Sequence, residues 1–295
     1  MTLFHGLCAF PITPADADGR VDRDALARLM ARLSEAGVDC VGLLGSTGSY
    51  LYLSREERRR AIEAARGVDR RMPLLVGVGA LRTDAAQALA RDAQEEGADG
   101  LLLAPVSYAP LTDEEVFRHV TAVAGSTGLP LCVYNNPSTT HFSVSDALLA
   151  RLAQNPRIIA VKNPAPPASE ASQAIASLRR LVGESFSIGY SGDWVAPDAV
   201  LSGGQAWYSV IGGLLPRPAL ALMRAAQAGD VAAMRSIDAS FAPLWDLFRQ
   251  YGSFRVVHAA ANLMGLTQAQ PPLPVLPLGQ AERARIAEAL ERLEG

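Results

Sequence analysis

Eight short apolar runs, at residues 7–10, 40–44, 74–78, 100–103, 131–134, 158–161, 186–190 and 206–211, punctuate the chain from its start to residue 211. Few polar positions interrupt them, and that pattern predicts strands buried on both faces. Between the runs lie amphipathic stretches of helical period with readable ends. Asp22 is placed to cap a helix whose apolar face is Leu26, Leu29, Met30 and Leu33 and which ends at Gly37. Ser54 with Glu57, and Thr112 with Glu115, have the spacing of capping boxes. Gly67, Gly97 and Gly125 follow helical stretches where a chain commonly turns left-handed.

One joint between helix and strand repeats. Glu35-Ala36-Gly37-Val38-Asp39 precedes the second run, and the similar Glu96-Gly97-Ala98-Asp99 precedes the fourth. Eight strand–helix units predict an α/β fold, a (β/α)8 TIM barrel with a C-terminal helical extension. The strand signal stops near residue 228; helical patterns follow at 230–250, 253–264 and 280–294, broken by a proline-rich stretch at 271–277. The expected division is a barrel over 1–228 that carries the active site and a helical extension over 229–295 packed on it.

Composition narrows the function classes. A net charge of −3 and a pI near 5.9 give no electrostatic reason to expect nucleic acid or an anionic membrane as partner. No stretch approaches the roughly 20 apolar residues of a membrane span. The run Arg58-Arg59-Arg60 sits in a helical pattern and reads as a solvated face. Cys8, Cys40 and Cys132 are far apart in apolar runs, which suits buried reduced thiols better than a disulfide framework or a zinc site. The start, MTLFHGLCAFPITP, lacks the basic and long apolar segments of a signal peptide, so a cytoplasmic location is expected.

In such a barrel the chemistry gathers at the C-terminal ends of the strands. The second run leads into Gly45-Ser46-Thr47-Gly48-Ser49, the fifth into Tyr134-Asn135-Asn136-Pro137, and the sixth into Lys162-Asn163-Pro164. Lys162 is the only lysine among 27 basic residues. Arginine stays protonated in proteins, whereas a desolvated lysine can act as an amine nucleophile. The plainer alternative is a lysine left by chance and paired with a carboxylate. The Gly-Ser-Thr-Gly turn offers hydroxyls and amides suited to a small carboxylate, although tight turns favour these residues anyway. Tyr134 at a strand end and an Asn-Asn-Pro turn are each commonplace alone. Their company with Lys162 is what points to imine chemistry.

Together, Gly45-Ser46-Thr47-Gly48, Tyr134-Asn135-Asn136-Pro137, Val161-Lys162 and Ser191-Gly192-Asp193 resemble the dihydrodipicolinate synthase/N-acetylneuraminate lyase superfamily of class I aldolases, over essentially the whole chain. The resemblance implies a homotetrameric barrel that forms an imine between a lysine and pyruvate or another 2-keto acid. It matches Lys162 to the Schiff-base lysine, Tyr134 to a proton-relaying tyrosine, and Ser46 and Thr47, with Gly48, to a carboxylate-binding turn. It implies no cofactor. No His/Asp/Glu grouping has metal-ligand spacing, so a metal site and a metal-dependent aldolase are not expected.

The chain also departs from that pattern. Thr139 stands where the synthases carry an arginine for the carboxylate of an aldehyde substrate, and a hydroxyl cannot reproduce a guanidinium's paired bonds. Ser107 occupies the place of a tyrosine donated across a subunit interface, with Tyr108 one position away. Ser49 ends the turn, and Asn163 follows the lysine, each in place of a glutamate. Candidates for the distal part of a substrate are Ser138, Thr139, His141, Asp193, Tyr208 and Ser209, a hydroxyl-rich set with little positive charge. The expectation is a Schiff-base-forming lyase, aldolase or dehydratase, acting on pyruvate or a 2-keto-3-deoxy sugar-acid-like substrate. Lys162, Tyr134 and Thr47 form its catalytic set. The alternatives are dihydrodipicolinate synthase activity proper, a non-catalytic keto-acid-binding paralogue, and a phosphate-binding barrel suggested only by the glycine pairs at 203–204 and 212–213.

Overall fold

The computed structural model describes residues 3–294. Eight parallel strands close into a barrel in chain order: β1 (Gly6–Ala9), β2 (Cys40–Leu43), β3 (Leu74–Gly77), β4 (Gly100–Leu103), β5 (Leu131–Tyr134), β6 (Ile158–Pro164), β7 (Ser187–Ser191) and β8 (Ala206–Ser209). The apolar runs locate all eight to within a residue or two, with one informative exception. β6 continues past its apolar run, and Lys162, Asn163 and Pro164 pair with Gly189, Tyr190 and Ser191. Lys162 therefore sits inside a paired strand, not at its exit.

Around the barrel run α1 (Arg23–Ala36), α2 (Arg55–Val68), α3 (Thr83–Glu95), α4 (Asp113–Ala124), the short α5 (Pro137–Thr140), α6 (Asp146–Leu152), α7 (Ala168–Val182), α8 (Ala196–Leu201) and α9 (Pro216–Gln227). Asp22 caps α1 by accepting from the Ala25 amide at 2.9 Å, and Gly37 ends it in the left-handed region. Thr112 and Glu115 form the reciprocal capping box of α4. Ser54 caps α2, but Glu57 does not reciprocate, because its carboxylate accepts from the Val21 amide at 2.7 Å. Gly97 has a positive φ, whereas Gly67 lies within α2 and Gly125 is right-handed.

The repeated joint has a structural cause. Asp39, before β2, accepts from the amide of Leu7 in β1 at 2.7 Å, and Asp99, before β4, accepts from the amide of Leu74 in β3 at 2.8 Å. Each carboxylate also pairs with an arginine, Arg224 and Arg66 respectively. Both joints thus satisfy an amide at the bottom of the barrel. Arg58 corrects the reading of the arginine run as a solvated face: its guanidinium is buried and donates to the carbonyls of Leu53 and Gly79.

After α9 the chain continues as α10 (Val231–Tyr251), α11 (Ser253–Leu263) and α12 (Gln280–Glu294). α10 lies against α8 and α9, and the three helices pack on one another. Among the described residues no helix is long and apolar enough to cross a membrane. The three cysteines are buried free thiols.

Candidate active site

The register between β5 and β6 brings the two central residues together. Leu131 pairs with Ile158, but Cys132 pairs with Ala160, so Ile159 is an extra residue in β6. Without that irregularity Tyr134 would stand opposite Val161; with it, Tyr134 pairs with Lys162. A one-residue slip in a strand exchanges inward and outward side chains, so the insertion fixes which residue joins Tyr134 at the barrel mouth.

Lys162 is buried, with 4% of its surface exposed. Its Nζ lies 3.8 Å from the ring centroid of Phe10, 4.2 Å from that of Tyr134 and 5.7 Å from that of Tyr208. Among the described residues it forms no ion pair, which removes the reading of a lysine kept for a carboxylate. Phe10 was not among the sequence candidates. Its place depends on two glycines: a Cβ at residue 42 would fall 2.2 Å from the Phe10 ring, and one at residue 45 would fall 2.6 Å from it. The layer near Lys162 is neutral. Burial pushes the Cys132 thiol up to about 12 and raises those of Cys8 and the Tyr208 phenol well above their ordinary values.

The turn after β2 is held by two main-chain bonds, Gly48 N to Gly45 O and Ser49 N to Ser46 O. These leave the amides of Ser46 and Thr47 without a protein acceptor among the described residues. Ser46 Oγ lies 3.5 Å from Tyr134 Oη, so the turn and the β5 end meet at the phenol. Two free amides, together with the Ser46 hydroxyl that meets Tyr134 near Lys162, form a donor set of the kind that holds a carboxylate. Asn136 also reaches this phenol: its Nδ2 donates to Tyr134 Oη at 2.8 Å, a contact that the reading of Asn-Asn-Pro as an ordinary turn missed.

Several distal candidates are occupied elsewhere. Asp193 is not available to a substrate: its carboxylate is 2% exposed and accepts from Trp207 Nε1 at 2.9 Å, Val210 N at 3.2 Å and Ile211 N at 2.7 Å. Burial raises its pKa, against the pull of these donors. Ser209 is fully buried, and its Oγ accepts from the Gly212 amide at 2.8 Å. Tyr208 lies within the barrel, 1% exposed, with its Oη 3.5 Å from Cys132 Sγ. Thr139 and Ser138 are exposed on α5; Thr139 Oγ1 donates to Asn136 O and Ser138 Oγ to Asn136 Oδ1. His141 is exposed and left-handed. Ser107 Oγ donates to Ala109 O, and Tyr108 is 99% exposed. Asn163 accepts from Asn135 Nδ2 at 3.0 Å, tying the ends of β5 and β6.

The glycine pair at 212–213 serves close packing, since a Cβ at residue 213 would lie 2.3 Å from Phe10 O. That removes its value as a phosphate signal. A cavity of about 790 Å³ does open on the molecule, but it lies between the loop of residues 15–22, Ser49 and residues 268–273, and neither Lys162 nor Tyr134 lines it. Among the described residues, no group of three or more His, Cys, Asp or Glu is placed to hold a metal ion.

The chain resembles known proteins along its full length. Residues 3–293 match the model of the dihydrodipicolinate synthetase family. A 4-hydroxy-tetrahydrodipicolinate synthase from Acidiphilium cryptum is 33% identical over 296 residues, covering 99% of each chain. Among solved structures, a dihydrodipicolinate synthase from Agrobacterium tumefaciens is 59% identical, covers 98% of each chain and superposes with a TM-score of 0.97. A dihydrodipicolinate synthase from Acinetobacter baumannii, crystallised with pyruvate, is 27% identical over 99% of each chain with a TM-score of 0.91.

Proposed function

The chain belongs to the dihydrodipicolinate synthetase family of lysine-imine lyases, and on that premise we propose that Lys162 forms the imine with pyruvate or a closely related 2-keto acid. The observation that carries this is the pairing of Tyr134 with a buried Lys162 that no carboxylate neutralises. The free amides and hydroxyls of Ser46 and Thr47 hold the keto acid's carboxylate and set its C2 against Nζ. The deprotonated amine attacks C2, and the C=O electron pair moves to oxygen. Tyr134 gives its proton to that oxygen and recovers one from the new ammonium, so it ends as it began. The carbinolamine then takes one further proton and loses water, leaving a protonated imine that acts as the electron sink for breaking or making a carbon bond.

For the second substrate, the residues support a hydroxylated or neutral carbon chain. Thr139 takes the place of a guanidinium, and its hydroxyl is turned to Asn136 O. Dihydrodipicolinate synthesis is the second reading, favoured by the activities for which the relatives are named. The test is borohydride reduction in the presence of pyruvate followed by peptide mass analysis. The expected result is one stable adduct on Lys162; keto-acid binding with no adduct would support the non-catalytic reading instead. A screen of 2-keto-3-deoxy sugar acids for pyruvate release or water loss, beside a carboxylate-bearing aldehyde with pyruvate, separates the two substrate readings.

A further inference from the structure

We propose that the side-chain amide of Asn136 is a positioning residue for Tyr134, fixing the direction in which the phenol passes its proton. The inference rests on the imine reading above and concerns a residue outside the catalytic set. Asn136 occupies the N-cap position of α5, where an asparagine ordinarily turns its side chain back to a free amide of the helix. Here it makes no such bond. Its main-chain carbonyl instead accepts from the amides of Thr139 and Thr140, each at 3.0 Å, and from the Thr140 hydroxyl at 2.9 Å. The turn is thus secured by the backbone, and the side chain is left for another purpose.

That side chain has a defined orientation. Ser138 Oγ donates to Asn136 Oδ1 at 2.7 Å, which assigns the acceptor end of the amide to the serine and the donor end to Tyr134 Oη, 2.8 Å away. An amide N–H can only donate. Tyr134 therefore receives a bond from the α5 side, which leaves its own proton free to point away from α5. Between giving a proton to the new oxygen and recovering one from nitrogen, the tyrosine is a phenolate. The Asn136 N–H is the short, pre-placed donor for that charge, and donors of this kind hold a developing anion without reorganising. Ser46 at 3.5 Å is at the limit of bonding, Ser107 donates to Ala109 O, and Tyr108 faces solvent. Within this chain, Asn136 is the residue that makes the short bond.

Asn136→Asp isolates the claim. It keeps the size, the backbone bonds and an acceptor for Ser138, but it presents an acceptor to the phenol in place of a donor. The measurement is the rate of borohydride-trappable adduct on Lys162 with pyruvate, for the parent, N136D, Y134F and the double variant, with thermal unfolding as the control on folding. At about pH 8, N136D should slow trapping by about tenfold or more, with little change in the pyruvate concentration for half-maximal rate. Its rate relative to the parent should rise as pH falls toward about 4, where the new carboxyl regains a proton to donate. In the Y134F background N136D should cost nothing further, since it acts through a hydroxyl already gone. Trapping by N136D close to the parent rate at every pH, or an equal loss with and without the Tyr134 hydroxyl, overturns the inference and leaves the imine reading intact. A parent protein that gives no adduct overturns both. Should N136D fold poorly, Asn136→Ala in the same cycle decides the matter by the same non-additivity.

Discussion

Asp193 illustrates how a single residue divides local appearance from actual role. Beside a strand end, after Ser191 and Gly192, it has the look of a substrate ligand. Its two oxygens are instead taken by Trp207 and by the amides of Val210 and Ile211, partners 14 to 18 residues away that no local pattern discloses. Removing the carboxylate leaves three donors unpaired, two of them fully buried, and unmade buried hydrogen bonds of this kind cost about 1–3 kcal/mol each in other proteins. Asp193→Ala should therefore lower stability by about 3 kcal/mol or more, seen as a fall in the urea midpoint. The folded remainder should bind pyruvate with nearly the parent's affinity. A stable D193A protein that has lost pyruvate affinity would return Asp193 to the substrate site.

At the scale of elements, most of the architecture was legible because strands buried on both faces leave continuous apolar runs and helix ends leave caps. Even the Asp39 and Asp99 joints showed in the sequence as a repeat, although their cause, an amide one strand back, did not. The site was legible in outline through Lys162, Tyr134 and the 45–48 turn. What was missed depends on alignment between elements. The extra residue Ile159 pairs Tyr134 with Lys162, and Phe10 reaches the lysine only because glycines at 42, on β2, and 45, in the turn that follows it, leave room for its ring. Helix α11 hides a further such group. His258 is 2% exposed, lies edge-on to Phe254 with ring centres 4.9 Å apart, and among the described residues no group meets hydrogen-bond geometry at either nitrogen, the main chain of Ala269 being a weak neighbour only. Burial lowers its pKa from 6.5 to about 4. Because the folded value is depressed, the unfolded chain binds the extra proton first as pH falls. The histidine therefore costs no stability above about pH 6.5, and the penalty grows down to about pH 4, reaching about 3 kcal/mol. His258→Leu should flatten the acid side of the stability curve over that window. Parallel losses in parent and variant urea midpoints would show that other groups set it.

On the scale of the whole molecule, several of the exposed apolar side chains fall in two regions, while Leu181, Trp194 and Val231 lie apart from both. Leu51, Leu81 and Tyr108, at 50%, 68% and 99% exposure, follow the adjacent strands β2, β3 and β4 at the barrel's C-terminal face. Leu263, Leu273 and Leu276, at 40%, 75% and 65%, belong to the C-terminal extension. Large exposed apolar groups in clusters favour burial against another surface, and two separate self-associating surfaces on one chain would suffice for the closed tetramer that the family resemblance implies. The expected solution species is therefore four copies of the 31.2 kDa chain, measured by sedimentation. Leu81→Glu with Tyr108→Glu should split it, because a charge in the centre of an apolar interface is left without a partner. The split species also bears on the chemistry. Since the short bond to Tyr134 comes from Asn136 of the same chain, the smaller species should still trap pyruvate on Lys162 at a rate near that of the tetramer. If trapping instead collapses together with the assembly while each chain stays folded, a group from a neighbouring copy completes the proton path.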